Sequence, residues 1–426
     1  MLSIPAAGET EGDARHGAES VGVTGPLFPE VGIIALVPDC WGPYWQLRHH
    51  LLSRLARYFH VVWADLPATW RQWGRDRNYP LAQPLPEGLQ VYTAPWFLRR
   101  VGRPRFLQQW TEGARLRRCR DLLLAKGCRR LVLYLWRPEF ASALDQLPHD
   151  LACYHIDDEY PYSPVEQPIA AEEAALIRRA QQVFIHSVAM MRKKGGLNPN
   201  TDLLPNGVDF ESYVTPAAEP EDLARIPRPC IGYTGNLKRM VDWELLLQLT
   251  ARHPQWSFVF VGPAARHATI RVPLGTLAQR PNVHFLGPKN VNALCAYPQH
   301  FDVAIMPYCV DAYTNYIYPL KLHEYLASGK PVVGSPIATL QSFRDVVCVA
   351  RGIGEWSEAL TCALAPPQNS REARARRQAV ARSHDWEILA QRAAATLMQR
   401  LGRDTEKQWV AWLQHSGTPA CPALSR

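Results

Sequence analysis

Glu324 lies in the run YIYPLKLHEYLASGKPVV, residues 316 to 333. A carboxylate held rigidly on a short helix is a natural bidentate acceptor for a vicinal diol. Lys321, three residues earlier, shares its helix face and offers a cation to a phosphate. The alternative for this pair is an i,i+3 surface ion pair worth about 0.3 kcal/mol. A second group of residues follows the apolar run CIGYTG, where Gly235 precedes Asn236, Leu237, Lys238 and Arg239. A glycine turn lets backbone approach a phosphate closely, a helix N-terminus behind it favours negative charge, and the two basic side chains supply more of the same field. Asp157 and Asp158 close a third apolar run, LACYHI. A carboxylate there could hold a hydroxyl, steady positive charge, or cap a helix.

The elements that must position these groups alternate between strand and helix. VGIIALVP (31 to 38) reads as an apolar strand, followed by the loop DCWGPYW, a helix from about Gln46 to Tyr58, and a second strand HVVWADLP. Further strands are expected at RLVLYLW (130 to 136), LACYHI (151 to 156) and QVFIHS (182 to 187), and LLPNGVDF closes the unit. Pro220, Pro227 and Pro229 mark a linker over 217 to 229. The pattern then repeats with strands at CIGYTG, SFVFVG, VHFLG, DVAIMP and PVVGS. Alternation at this spacing predicts parallel sheets covered on both faces by helices, with ligands at the carboxyl edge. The helix of Glu324 has legible ends: Pro319 suits a first turn, and Gly329 supplies the left-handed residue that commonly closes a helix.

KLHEYLASGKPVV, with IGYTGNLKR at 231 to 239 and LLPNGVDF at 203 to 210, resembles the retaining nucleotide-sugar glycosyltransferases of the large GT-B group called family 4, close to the branch acting in cell-surface polysaccharide or teichuronic-type polymer synthesis. The resemblance covers roughly residues 31 to 400 in layout and is specific in the C-terminal half. It implies an α/β fold of the GT-B kind, two doubly wound Rossmann-like domains facing a cleft. The expected division is a disordered leader over 1 to 30, an acceptor-side domain over 31 to 215, a nucleotide-sugar domain over 228 to 383, a helix over 384 to 402 crossing back under the anchor of Trp386, and a tail over 403 to 426. The resemblance also assigns roles. Glu324 would hold the donor ribose, Lys321 the phosphates, and Gly235 and Asn236 the turn beneath them, with Lys238 or Arg239 stabilising the leaving group. The family's second glutamate falls at Tyr316, so the sugar contact passes to the loop from Asp311 through Asn315 to Tyr316. Gly42 matches a flexible glycine loop near the donor phosphates, beside Trp41, Tyr44 and Trp45, which either stack on an acceptor or cover the domain edge. Asp158 stands where many members present a histidine.

Composition narrows the partners. With 47% hydrophobic residues, the chain has ample material for two cores. Ten cysteines without a CxxC pair or metal spacing predict reduced thiols and a cytoplasmic setting. The net charge of +8 is concentrated. From Arg99 to Arg137 there are eleven arginines and Lys126 against Glu112 and Asp121. Such a window attracts anionic lipid, a lipid pyrophosphate or an acidic polysaccharide, which suggests peripheral attachment to the inner face of a membrane, the alternative being a solvated helix face. No nucleic-acid motif accompanies the charge. No D-x-D run and no Walker motif occur, so no metal or other cofactor is expected. Ser383, His384 and Asp385 are adjacent in sequence and read as a helix cap, not a triad. The resulting expectation is a transferase moving a sugar from a nucleoside diphosphate to a polysaccharide or lipid-linked hydroxyl with retention. The alternative is a silent relative that binds a nucleotide sugar or polysaccharide within an assembly complex.

Overall fold

The computed structural model describes residues 25 to 416 apart from 43, 68 to 83, 102 to 103, 161 and 266 to 267. The apolar runs form two sheets, parallel throughout. The first joins β1 (Val31–Leu36), β2 (His60–Ala64), β3 (Leu89–Tyr92), β4 (Arg130–Leu135), β5 (Leu151–Ile156), β6 (Gln182–Ile185) and β7 (Thr201–Leu203) in the order β3-β2-β1-β4-β5-β6-β7. Every residue of β1 and β5 is buried, because helices cover both faces. Helices Leu47–Leu55 and Trp386–Leu401 pack on one face; Leu116, Cys119 and Leu123 of helix Arg105–Ala125 pack on the other.

The second sheet joins β8 (Cys230–Thr234), β9 (Ser257–Val261), β10 (Val283–Gly287), β11 (Val303–Met306), β12 (Val332–Gly334) and β13 (Cys348–Val349) in the order β10-β9-β8-β11-β12-β13. In both sheets the order reverses beside the first strand, which opens a crevice at the carboxyl edge. The edge strands β3 and β13 carry no expectation from the sequence. The former has four residues and the latter two, too short to show a period.

The chain passes between domains at two adjacent points. Val208 donates to the His384 carbonyl at 3.0 Å, and Trp386 donates to the Val208 carbonyl at 3.0 Å. Asp385 caps the returning helix by accepting from the Glu387 amide at 3.0 Å, so Ser383, His384 and Asp385 form a crossing and a cap. Trp386 is buried and stacks on His50, centroids 5.8 Å apart. Within the segment read as a tail, residues Arg403–Ser416 form a helix whose Trp409 ring centre lies 5.7 Å from that of Phe28 and 5.5 Å from that of Tyr58. The expected leader lies outside the described residues through residue 24. The nine described cysteines are all free. No helix among the described residues is long and apolar enough to cross a membrane.

Candidate active site

A cavity of about 800 Å³ opens between the two carboxyl edges. Its second-domain wall begins where β8 turns at Gly235 (φ 114°), whose amide donates to the Val261 carbonyl at 2.8 Å. Gly262 (φ 146°) ends β9 so close by that a Cβ there would lie 2.2 Å from the Gly235 oxygen. These two glycines leave bare backbone at the cavity wall.

Lys321 lies over this turn: a Cβ on Gly235 would meet its Nζ at 3.2 Å. Its ammonium donates to the Tyr308 hydroxyl at 3.0 Å and sits 4.8 Å from the centre of the Tyr233 ring. The surface ion pair with Glu324 is not among the salt bridges of the described residues; both side chains line the cavity instead. Helix Lys321–Ala327 is fixed at its C-terminus, where Gly329 (φ 70°) donates to the Leu326 carbonyl at 3.0 Å and Lys330 to that of Tyr325 at 3.2 Å, the paired bonds of a Schellman closure. Burial raises the Glu324 carboxyl to about 7, against the opposing pull of Lys321 and a hydrogen bond from Tyr213. Its acceptor oxygens are therefore held in a site that under-solvates them, and a hydroxyl-bearing ligand would relieve that.

Lys238 and Asn236 line the mouth. Desolvation in the cleft lowers the Lys238 pKa, while Asp158 across the cleft raises it. Arg239 turns away, its guanidinium 3.1 Å from the centre of the Tyr162 ring, and does not line the cavity. Asp158, expected in the site, lies outside the cavity lining: it accepts from the Glu159 amide at 2.9 Å and bonds Tyr313 of the second domain, and burial, then Asp157, raises its pKa. No helix starts there, the next being Ala171–Arg179, so Asp158 is not a cap. Gly42 is buried and outside the lining, whereas Tyr44 and Trp45 of its loop line the cavity. Trp41 belongs to the core, its ring 5.0 Å from Trp63. Asn315 and Tyr316 also lie outside the lining. Asn315 accepts from the Ala338 amide at 3.3 Å. Tyr316 donates to Glu166 of the first domain at 2.8 Å beneath Lys193. Helix Ala312–Tyr316 carries both away from the cavity and into the domain contact.

Several contributors escape a motif-based reading. Arg48 is almost fully buried between Asp39 and Asp157, and Tyr160 donates to Asp157 at 3.0 Å. Asn206, inside LLPNGVDF, donates to the Tyr318 carbonyl at 2.6 Å and ties the crossing to the loop before Lys321. Tyr213 and His50 also line the cavity. His155 and His186 are core residues, bonded to the Tyr134 hydroxyl at 2.9 Å and the Ile156 carbonyl at 3.0 Å. Among the described residues no group of three or more His, Cys, Asp or Glu could hold a metal ion.

Two doubly wound domains facing such a cavity define the GT-B architecture. The second domain, over residues 228–366, matches the family described as glycosyl transferases group 1. The chain is 28% identical over 231 residues to a putative teichuronic acid biosynthesis glycosyltransferase of Bacillus subtilis (strain 168), covering 52% of this chain and 57% of that one. It thus spans little more than half the length of the curated relative it matches. Among solved structures, sucrose-phosphate synthase from Thermosynechococcus elongatus superposes with a TM-score of 0.66 at 18% identity, covering 87% of this chain and 98% of the other. HepE from Anabaena, in complex with UDP and glucose, gives 0.59 at 15%, covering 86% and 99%. The resemblance read from the motifs holds: the fold is GT-B, and the sequence relatives are glycosyltransferases.

Proposed function

We propose that this protein is a glycosyltransferase that moves a sugar from a nucleoside diphosphate to an acceptor hydroxyl with retention, in the synthesis of a cell-surface polymer. The observation that supports this most is the convergence of Glu324, Lys321, Lys238 and the Gly235 turn on one interdomain cavity of about 800 Å³, a size suited to a nucleotide sugar. Glu324 accepts both ribose hydroxyls, while Lys321 and the bare backbone at Gly235 and Asn236 meet the diphosphate. The acceptor hydroxyl attacks from the face the diphosphate leaves. The new carbon–oxygen bond forms as the old one breaks, and the acceptor proton passes to the departing phosphate oxygen. Lys238 stabilises the charge left behind, and Asp158 orients the acceptor or steadies the anomeric carbon. No metal enters this scheme. Domain closure excludes water from the donor.

The teichuronic relative supports an acidic polysaccharide or lipid-linked acceptor. The basic window supports work at the inner face of a membrane, from the cytoplasm.

Thermal stabilisation by UDP, GDP, ADP and CDP, with and without magnesium, tests the donor assignment. One nucleotide at 100 Kd should add about 2.7 kcal/mol independently of metal. Glu324→Ala should lose that gain; no response to any nucleotide would remove the reading. A silent binder is the second reading, favoured because Tyr316 replaces the family's glutamate and spends its hydroxyl on Glu166. Release of free sugar and nucleoside diphosphate without acceptor distinguishes the two.

A further inference from the structure

A second cavity, of about 200 Å³, lies at the carboxyl edge of the first sheet and shares no lining residue with the first. Pro38 follows β1, Leu66 and Pro67 follow β2, and Arg137 follows β4, so three strand ends converge on it. Arg100 and Arg115 enter from the outer side.

Three arginines therefore line one small space, with Glu112 and Glu139 as the acidic lining residues. None of Arg100, Arg115 and Arg137 forms an ion pair with a carboxylate among the described residues, and Glu112 is engaged by the Ser142 hydroxyl at 2.6 Å. Arg115 spends one nitrogen on the Leu98 carbonyl at 2.8 Å. Burial lowers its pKa, with Glu112 opposing and Arg100 adding to the effect. Arg137 stacks 4.0 Å from the centre of the Tyr160 ring, and its buried Nε has no hydrogen-bond partner among the described residues. Stacking leaves the in-plane N–H groups of a guanidinium free for a bidentate anion. A buried donor without a partner costs free energy that such a ligand would recover.

Arg137 also connects this cavity to the first. Its charge acts on Asp158, and Asp158 acts on Lys238 at the mouth of the interdomain cavity. An acceptor seated with an anionic group on Arg100, Arg115 and Arg137 would extend toward Asp158.

We propose that the second cavity is an anion subsite for the acceptor, binding a phosphate or carboxylate that the acceptor carries apart from the sugar hydroxyl that reacts. This rests on the glycosyltransferase reading for the word acceptor, but the anion site itself does not. The ligand chemistry is a single tetrahedral or planar oxyanion, from a lipid phosphate or from the uronate of a soluble polymer.

The test is calorimetric titration of the full chain with sodium phosphate and with sodium glucuronate at constant ionic strength, alongside sedimentation with phosphatidylcholine vesicles containing phosphatidylglycerol. Arg100 is exposed, so Arg100→Gln should fold normally; Arg137→Gln is the second variant. Saturable binding of either soluble anion, weakened roughly tenfold or more in both variants and retained in Glu324→Ala, supports the site. Vesicle binding lost in both variants, without soluble binding, also supports it and names a lipid headgroup as the source. Binding lost in Glu324→Ala but kept in the arginine variants places the anion in the donor cavity and overturns the proposal, as does absence of binding to all three probes. Nucleotide stabilisation, measured on the same samples, reports separately on the donor reading.

Discussion

On the second-domain wall of the cleft, Lys321 and Glu324 stand three residues apart on one helix, and the turn they face is closed by two glycines at the ends of adjacent strands. On the first-domain side, behind the Tyr44, Trp45 and His50 side chains that line the cavity, Arg48 reaches Asp157 across 109 residues of chain to hold it beside Asp39, with Asp158 next in line. One wall is fixed by local backbone geometry. The other is fixed by a buried cation that brings distant carboxylates together. The difference predicts how each fails: a local wall loses ligand affinity when a side chain is removed, whereas a long-range wall loses fold stability as well.

Arg48→Leu tests this most severely. Burial works against the Arg48 guanidinium, but Asp157 and Asp39 outweigh it and raise its pKa. Removing the cation leaves Asp157 buried without its counter-charge. A loss of about 3–5 kcal/mol is expected from the denaturation midpoint of the full chain. A loss under 1 kcal/mol would mean that solvent, not Arg48, stabilises these carboxylates.

The same contrast explains what was legible in the sequence. The second-domain site was carried by contiguous motifs, so Glu324, Lys321, Gly235, Asn236 and Lys238 could all be placed, and the structure brings them to one cavity. Arg239 follows Lys238 in the same run, but its guanidinium points to Tyr162. Direction within a turn is set by packing that spacing does not encode. Tyr316 is reached by counting back from Glu324 and Asn315 as part of the loop that precedes it, which fixes chain position but not the short helix that takes them to the domain contact. Arg48 has no local signal: it is one basic residue in LRHHLLSRL, and only the parallel pairing of β1, β4 and β5 brings Asp39 and Asp157 near it. The strands were readable because burial on both faces makes them continuous apolar runs.

Glu324→Gln comes next and gives a pH signature. Burial lifts the carboxyl to about 7 in the folded protein, above the ordinary 4.5 of a solvated glutamate in an unfolded chain. Between those values the folded state holds a proton that the unfolded chain has lost, so wild-type stability falls as pH rises through the window. Glutamine has no such slope. At pH 8 the variant should be more stable by on the order of 2–3 kcal/mol, with the difference vanishing near pH 4, while nucleotide stabilisation is lost. Melting curves at pH 5 and pH 8 measure it; equal stability at both would show that Glu324 is well solvated.

Gly262→Ala targets the backbone of the same wall. Its φ of 146° and the 2.2 Å approach of a Cβ to the Gly235 oxygen require the turn to shift. A cost of about 1–3 kcal/mol is expected. Donor affinity should fall along with stability, because the moved backbone is the surface that the proposed function assigns to the diphosphate. Calorimetric affinity unchanged alongside a lowered melting temperature would place the phosphates elsewhere.

Tyr316→Phe should have the smallest effect. The hydroxyl donates to Glu166 in a solvent-exposed bond across the domain contact, where Lys193 also pairs with Glu166. Loss of such a bond costs roughly 0.5–1 kcal/mol, and Lys193 retains its ion pair with Glu159 at 2.7 Å. Turnover and donor KM should therefore stay within about fivefold of wild type, the factor that 1 kcal/mol represents. The outcome bears on both walls at once. Unchanged kinetics would assign Tyr316 to the domain contact and leave the sugar to Asn236, Lys238 and the backbone around them. A tenfold fall in kcat with donor affinity preserved would instead mean that domain closure releases Tyr316 from Glu166 and turns it onto the sugar, giving the residue in the glutamate's position a part in the transfer.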